Sequence, residues 1–239
     1  MELTIIIPAY NEESRLGPTL QGYISYFSQI YGDQWELLVI VNGSTDRTID
    51  VANQRTTTND QVYSMEFPTK LGKGGAILEG FARCRGEAVA WVDADNMVSP
   101  EQTHKLIMAL ASHDLAIGWR QKRLSLSPKH HPITRKLASS ILHFWVKVYL
   151  GLRFHDTQCG AKAMRKSAMT TLTTKMAERG WAFDLDLLAA AKQQSLQIIE
   201  IPVTWHHRKD GSKVRLISAG WEVFLATIRI RKRYWSHLH

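Results

Sequence analysis

The strongest constraint on this chain is an alternation of short apolar runs with amphipathic stretches. Glu2–Pro8, Leu37–Val41 and Ala88–Val92 are apolar or β-branched almost throughout, and Val62–Phe67 alternates. Uninterrupted apolar runs of this length fit strands covered on both faces. Between them, 12–30, 46–55 and 75–84 read as helices, the first with Leu16, Leu20, Tyr23, Ile24 and Phe27 on one side. Strands alternating with helices predict a doubly wound α/β sheet. Such sheets bind ligands beyond the carboxyl ends of their strands. Pro8–Glu13, Asn42–Asp46, Lys70–Gly75 and Asp93–Asn96 all fall at those ends or at a helix entrance, so four polar motifs converge on one edge.

With 44% hydrophobic and 22% charged residues in 239, the chain is expected to be globular rather than disordered or fibrous. One domain over 1–215 with a basic amphipathic helix at 216–239 is expected. The N-terminus MELTIIIPAY lacks the basic region of a signal peptide. Ile141–Leu152 is interrupted by His143 and Lys147 and is too short to span a bilayer. Two cysteines, Cys84 and Cys159, fit a reducing compartment. The expected location is therefore cytoplasmic, peripheral on the inner membrane face.

The formal net charge of +8 conceals an asymmetry. Residues 1–118 carry 8 Lys/Arg against 15 Asp/Glu, whereas 119–166 carry 11 against 1, and the last 39 residues carry 8 against 2. Basic charge gathered into two segments implies an anionic partner, unless it is only a solvated face.

Asp93-Ala94-Asp95 follows a predicted strand directly, and its i, i+2 carboxylates project to one side of extended backbone. Hard oxygen donors there suit Mg²⁺ or Mn²⁺. A solvated turn is the plain alternative. Lys70-Leu71-Gly72-Lys73-Gly74-Gly75 opens a helix, where glycines and N–H groups let a phosphate approach; it is not a P-loop. Asn42–Asp46 reads equally well as a turn with a helix cap. Arg120, Arg135 and Ser139 supply a planar fork and a hydroxyl for an anion, in a segment with almost no carboxylate to pair with. Asp184 and Asp186, in Trp181-Ala182-Phe183-Asp184-Leu185-Asp186, lie at a predicted helix start. There they are either first-turn acids or a desolvated base.

Taken together, IPAYNEE (7–13), NGSTDRT (42–48), LGKGGAI (71–77), DADN (93–96), GWR (118–120), DTQCGAK (156–162), GWAFDLDLL (180–188) and EIPVTWHHRKDGSKV (200–214) resemble inverting glycosyltransferase family 2, with its GT-A fold. The likeness is nearest to polyprenyl-phosphate (dolichyl-phosphate) β-glucosyltransferases and mannosyltransferases. It implies that Pro8, Tyr10 and Glu12 line a nucleotide pocket with Asn42 near the base, and that Lys73 approaches the diphosphate. It implies Asp93 on the donor side, Asp95 on the metal, Gln158 and Asp184 facing the sugar, and Arg120, Arg135 and Ser139 holding the acceptor phosphate. The chain departs from the family pattern at Val41-Asn42, where paired acids are usual, and at Met97.

The expected reaction is metal-dependent, inverting hexose transfer from UDP-glucose or GDP-mannose to a polyprenyl phosphate. The partners would be a nucleotide sugar and a membrane surface, with no nucleic acid. Transfer to a sugar hydroxyl, with Asp184 or Asp186 as base, and a silent nucleotide-sugar binder are the alternatives.

Overall fold

A computed structural model describes residues 1–120, 144–205 and 216–235. The chain runs β1 (Leu3–Ala9), α1 (Glu13–Tyr31), β2 (Trp35–Asn42), α2 (Thr48–Thr56), β3 (Val62–Phe67), α3 (Gly72–Phe81), β4 (Ala88–Trp91), α4 (Pro100–Ala109) and β5 (Leu115–Arg120). A helical segment at 144–149 follows, then β6 (Lys162–Arg165), α5 (Lys166–Thr173), α6 (Phe183–Gln193), β7 (Ile198–Val203) and α7 (Leu216–Trp235). The predicted helix at 133–150 is described only from 144, so Arg135 and Ser139 lie outside the described residues.

The seven strands pair in the order β3-β2-β1-β4-β6-β5-β7. The first four are parallel, as the βαβ alternation requires, but β6 enters antiparallel between β4 and β5. The doubly wound half is thus extended by a mixed half that the apolar pattern did not reveal.

Both faces of the sheet are covered. Leu3, Ile5, Ile7 and Ala9 of β1 pack with Leu16, Leu20, Tyr23 and Phe27 of α1, while Ile6 faces Ala76, Ile77 and Phe81 of α3. This explains why β1 has no polar alternation. The final helix α7 belongs to the same packing: Val223, Ala226, Ile230 and Tyr234 are buried against the core beside α6. Arg229 and Arg233 of its basic end turn onto Glu178 and Asp186, at 2.6 and 2.8 Å.

Helix α3 begins at Gly72, three residues before the expected start. Gly72 has φ +80°, and a Cβ there would meet the Arg179 carbonyl at 2.6 Å, so glycine is required on both counts. The early start places Lys73 in the first helical turn.

At the amino ends of the strands, Glu36 of β2 is 1% exposed and binds three donors. Its Oε1 accepts Thr4 Oγ1–H and Arg85 N–H, each at 2.7 Å, and its Oε2 accepts Arg85 Nε–H at 2.6 Å. Thr4 Oγ1 in turn accepts Gly86 N–H at 2.8 Å. Glu36→Ala should therefore lower unfolding free energy by about 3 kcal/mol, the scale of buried charge-assisted bonds. Urea denaturation would show this as a lower midpoint with an unchanged slope.

Candidate active site

The carboxyl ends of β4 and β1, the start of α3, the turn before β6 and the start of α6 surround one cluster of charges. Asp93 follows β4, and its Oδ1 lies 2.8 Å from Lys73 Nζ. Lys73 Nζ is also 3.9 Å from Asp184 Oδ2 on α6. Asp184 Oδ1 receives Lys162 Nζ at 2.7 Å, and that ammonium, 0% exposed, donates as well to the Cys159 carbonyl at 2.6 Å. The result is a continuous chain, Asp93–Lys73–Asp184–Lys162, running from the rim into the core.

Electrostatics follow from these contacts. Burial alone would lower the pKa of Lys73, but the charges of Asp93 and Asp184 overcome it and raise the value. Burial would raise that of Asp93, yet Lys73 beside it, with Lys162 and Arg120, holds it below the usual carboxylate range. Asp95 has no cation within ion-pair distance among the described residues, and burial together with the Asp93 charge pushes its pKa up to about 6. Its Oδ1 accepts Met97 N–H at 3.1 Å. Next to it, the buried Asn96 Oδ1 has no hydrogen-bond partner among the described residues, and Asn96 has φ +55°. A crowded carboxylate beside an orphaned carbonyl oxygen suits a hard divalent cation. Mg²⁺-type ions need only one or two protein carboxylates when phosphates and water complete the shell.

Gly160, before β6, lies directly beneath Asp93; any side chain there would collide with its carboxylate. Arg120, at the end of β5, forms a two-pronged pair with Asp156, Nε–Oδ2 at 2.6 Å and Nη2–Oδ1 at 2.9 Å. Burial would lower the Arg120 pKa, but the Asp156 bonds and charge raise it. Asp156 is the single acid of the 119–166 segment. Arg120, for which the sequence favours an external anion, is thus paired with that one acid inside the fold.

Pro8 pairs with Ile40 between β1 and β2, and Asn42 Nδ2 donates to the Ala9 carbonyl at 3.1 Å, joining the ends of those strands. Tyr10 is half-exposed beneath the Lys70 ammonium, 4.1 Å from the ring centroid. Glu12 forms a fork with Arg15, at 2.5 and 2.6 Å, so its carboxylate is engaged within the fold. Gln158 is exposed and donates its N–H to Asp156 Oδ1 at 3.2 Å.

The Gly75 N–H at the start of α3 goes to the Arg179 carbonyl at 2.8 Å, so that amide does not await a phosphate. Asp186 is fully buried, accepting from the N–H groups of Ala177 and Glu178 at 2.7 and 2.9 Å and from Arg233 at 2.8 Å. It holds α6 to α7 and does not face the cluster. An open cleft of about 490 Å³, lined by Asn11, Glu13, Asp46, Arg47 and Asp50 among others, shares no residue with the cluster.

Lys162, Asp156 and Gly160 were not singled out by sequence reasoning. A lysine inside the apolar string CGAKAM was the available signal for the first.

A mixed seven-stranded sheet covered by helices, with carboxylates beyond the central strand β4, is the arrangement of a GT-A glycosyltransferase, and the comparisons with known proteins agree. The profile of Glycosyl transferase family 2 matches residues 4–172, and the chain belongs to that family. It is 32% identical to the dolichyl-phosphate beta-glucosyltransferase of Saccharomyces cerevisiae, over 97% of this chain and 75% of that protein. It is 30% identical to the enzyme of the same name from Homo sapiens, over 98% and 76%. Among solved structures, glucosyl-3-phosphoglycerate synthase from Mycobacterium tuberculosis with Mn²⁺ and UDP-glucose aligns with a TM-score of 0.71 at 20% identity, covering 98% of this chain and 79% of that one. That likeness bears on the fold.

Because Asp184 neutralises a fully buried lysine, Asp184→Ala should cost about 3–5 kcal/mol. Adding Lys162→Met should restore part of the loss, and thermal unfolding of both single variants and the double variant measures the coupling.

Proposed function

We propose that the chain transfers glucose from UDP-glucose to a polyprenyl (dolichyl) phosphate, with inversion at the anomeric carbon, at a membrane surface. The names of its relatives support the sugar and acceptor classes. The observation that carries the acceptor choice is the pairing of carboxylates. Asp93, Asp184, Asp156, Asp186 and Glu12 each have a cation within ion-pair distance, and Asp95, which has none among the described residues, is assigned to the metal. A sugar hydroxyl would need a carboxylate base, and the cations beside Asp93 and Asp156 hold both below the usual carboxylate range. A phosphate is already anionic and needs alignment and charge neutralisation instead.

In this reading a phosphate oxygen of the acceptor forms a bond to C1 of glucose as the C1–O bond to the diphosphate breaks. UDP departs with the electron pair. Attack from the face opposite the leaving group produces the inversion. Asp95, with Asn96 beside it, would hold Mg²⁺ or Mn²⁺, whose Lewis acidity would offset the charge on the leaving diphosphate. Tyr10, Pro8 and Asn42 border the space for the nucleoside. Lys73 fixes Asp93 on the donor side, and Asp184 with Gln158 bounds the sugar. Arg120 would exchange part of its hold on Asp156 for the incoming phosphate, joined by Arg135 and Ser139.

Radiolabelled UDP-glucose and GDP-mannose should be compared with a short polyprenyl phosphate, in Mn²⁺ and in EDTA. A chloroform-soluble product from UDP-glucose that disappears in EDTA is expected. Asp95→Ala should reduce kcat about a hundred-fold or more, the scale of several kcal/mol of Lewis-acid stabilisation. Equal turnover in EDTA would remove the metal from the mechanism, and transfer only to sugar hydroxyls would remove the phosphate acceptor.

A further inference from the structure

Two neighbouring helices leave apolar side chains uncovered in the same pattern. In 144–149 the inward positions are settled: Val146 is buried, as is Leu150 just beyond. Trp145 turns to α7, its ring centroid 5.2 Å from that of Phe224 and its Nε1–H donated to Thr227 Oγ1 at 3.0 Å. Phe144 and Val148, one turn apart on the other side, are 68% and 63% exposed. Helix α7 repeats the arrangement. Val223, Ala226 and Ile230 are buried, and Trp221 and Leu225, again one turn apart, are 64% and 40% exposed. Both helices pack into one core cluster, so both exposed pairs point away from it.

The surrounding charge is mostly basic. Lys147, Arg231 and Lys232 are exposed on these two helices. Their single acid among the described residues, Glu222, accepts Trp181 N–H at 3.0 Å and is thereby tied to the loop before α6. Trp and Phe at the level of headgroups with Lys and Arg around them is the chemistry of an interfacial contact. Each nearby cation adds attraction to an anionic leaflet.

We propose that Phe144, Val148, Trp221 and Leu225, bordered by Lys147, Arg231 and Lys232, seat the chain on an anionic lipid bilayer. The assignment rests on the reading of a lipid-phosphate acceptor and specifies where that lipid is met. It places the apolar part of the contact on the first half of α7 and on the neighbouring 144–149 helix. Arg229 and Arg233 already serve Glu178 and Asp186. The Glu222–Trp181 bond sets this face next to the loop that leads into Asp184, so a lipid phosphate in the leaflet has a short path to the site.

Co-sedimentation with phosphatidylcholine vesicles, with and without phosphatidylglycerol, tests the proposal. The full chain should bind the anionic vesicles, with a blue shift in tryptophan emission that is reduced in Trp221→Phe. Phe144→Ser and Trp221→Ser should each weaken partitioning about ten-fold, the scale of losing one large apolar contact. Lys232→Gln should weaken it about five-fold. Transfer to a water-soluble short-chain polyprenyl phosphate should be unchanged in the Ser variants, while transfer to a long-chain acceptor in vesicles falls. Vesicle binding that needs these residues, without transfer to any polyprenyl phosphate, would support the docking face and defeat the acceptor reading. Equal partitioning of variants and unaltered chain, or no binding to anionic vesicles, would overturn the docking face. So would a dimer in light scattering that Trp221→Ser converts to monomer.

Discussion

The ammonium of Lys162 is fully buried, on a four-residue strand that enters the sheet between β4 and β5. A charge in that position requires an opposite charge and further hydrogen bonds, or it costs several kcal/mol. Asp184 and the Cys159 carbonyl meet the need. In doing so they tie β6 to α6, and the other oxygen of Asp184 is left facing Lys73. The donor side of the site inherits its geometry from that bond: Lys73 sits between Asp184 and Asp93, and Asp93 stands where Lys73 holds it. Asp184 thus bridges core and rim.

The two ends of the sheet divide their work. At the amino ends, Glu36, Thr4 and Arg85 knit β1, β2 and the approach to β4 through bonds that touch no site residue. At the carboxyl ends lie Asp95, without a cation in ion-pair distance among the described residues, and Asn96, in a left-handed conformation with its side-chain carbonyl oxygen unpaired among those residues. Such local costs persist where the surrounding structure determines the backbone, and they collect at functional sites. The buried strands between the two ends keep the costs of one from loosening the other.

The first half of the fold was legible because apolar runs and turn residues announce themselves locally. Once β1, β2 and β4 were strands, the place of Asp93, Asn42 and Tyr10 followed from the rule for parallel sheets. The second half was not legible in the same way. β6 has four residues, one of them a lysine, and its antiparallel entry between β4 and β5 depends on pairings across long separations. Without that pairing Asp156 reads as one acid lost among eleven cations; with it, Asp156 meets Arg120 across adjacent elements. The arginines of α7 posed the same difficulty. Their partners lie some fifty residues upstream, so a helix engaged with Glu178 and Asp186 looked from its composition like a basic amphipathic appendage.

Gly160 contributes no functional group, yet it sets a clearance. A Cβ at 160 would occupy the place of the Asp93 carboxylate, so the bare backbone there defines how low that carboxylate can ride in the cleft. A single methyl at 160 would lift it out of register with Lys73 while leaving every charged residue of the site in place. The smallest possible change in volume would then act on the donor side as if a charged partner had been removed. A survey of reactive side chains alone would find nothing missing.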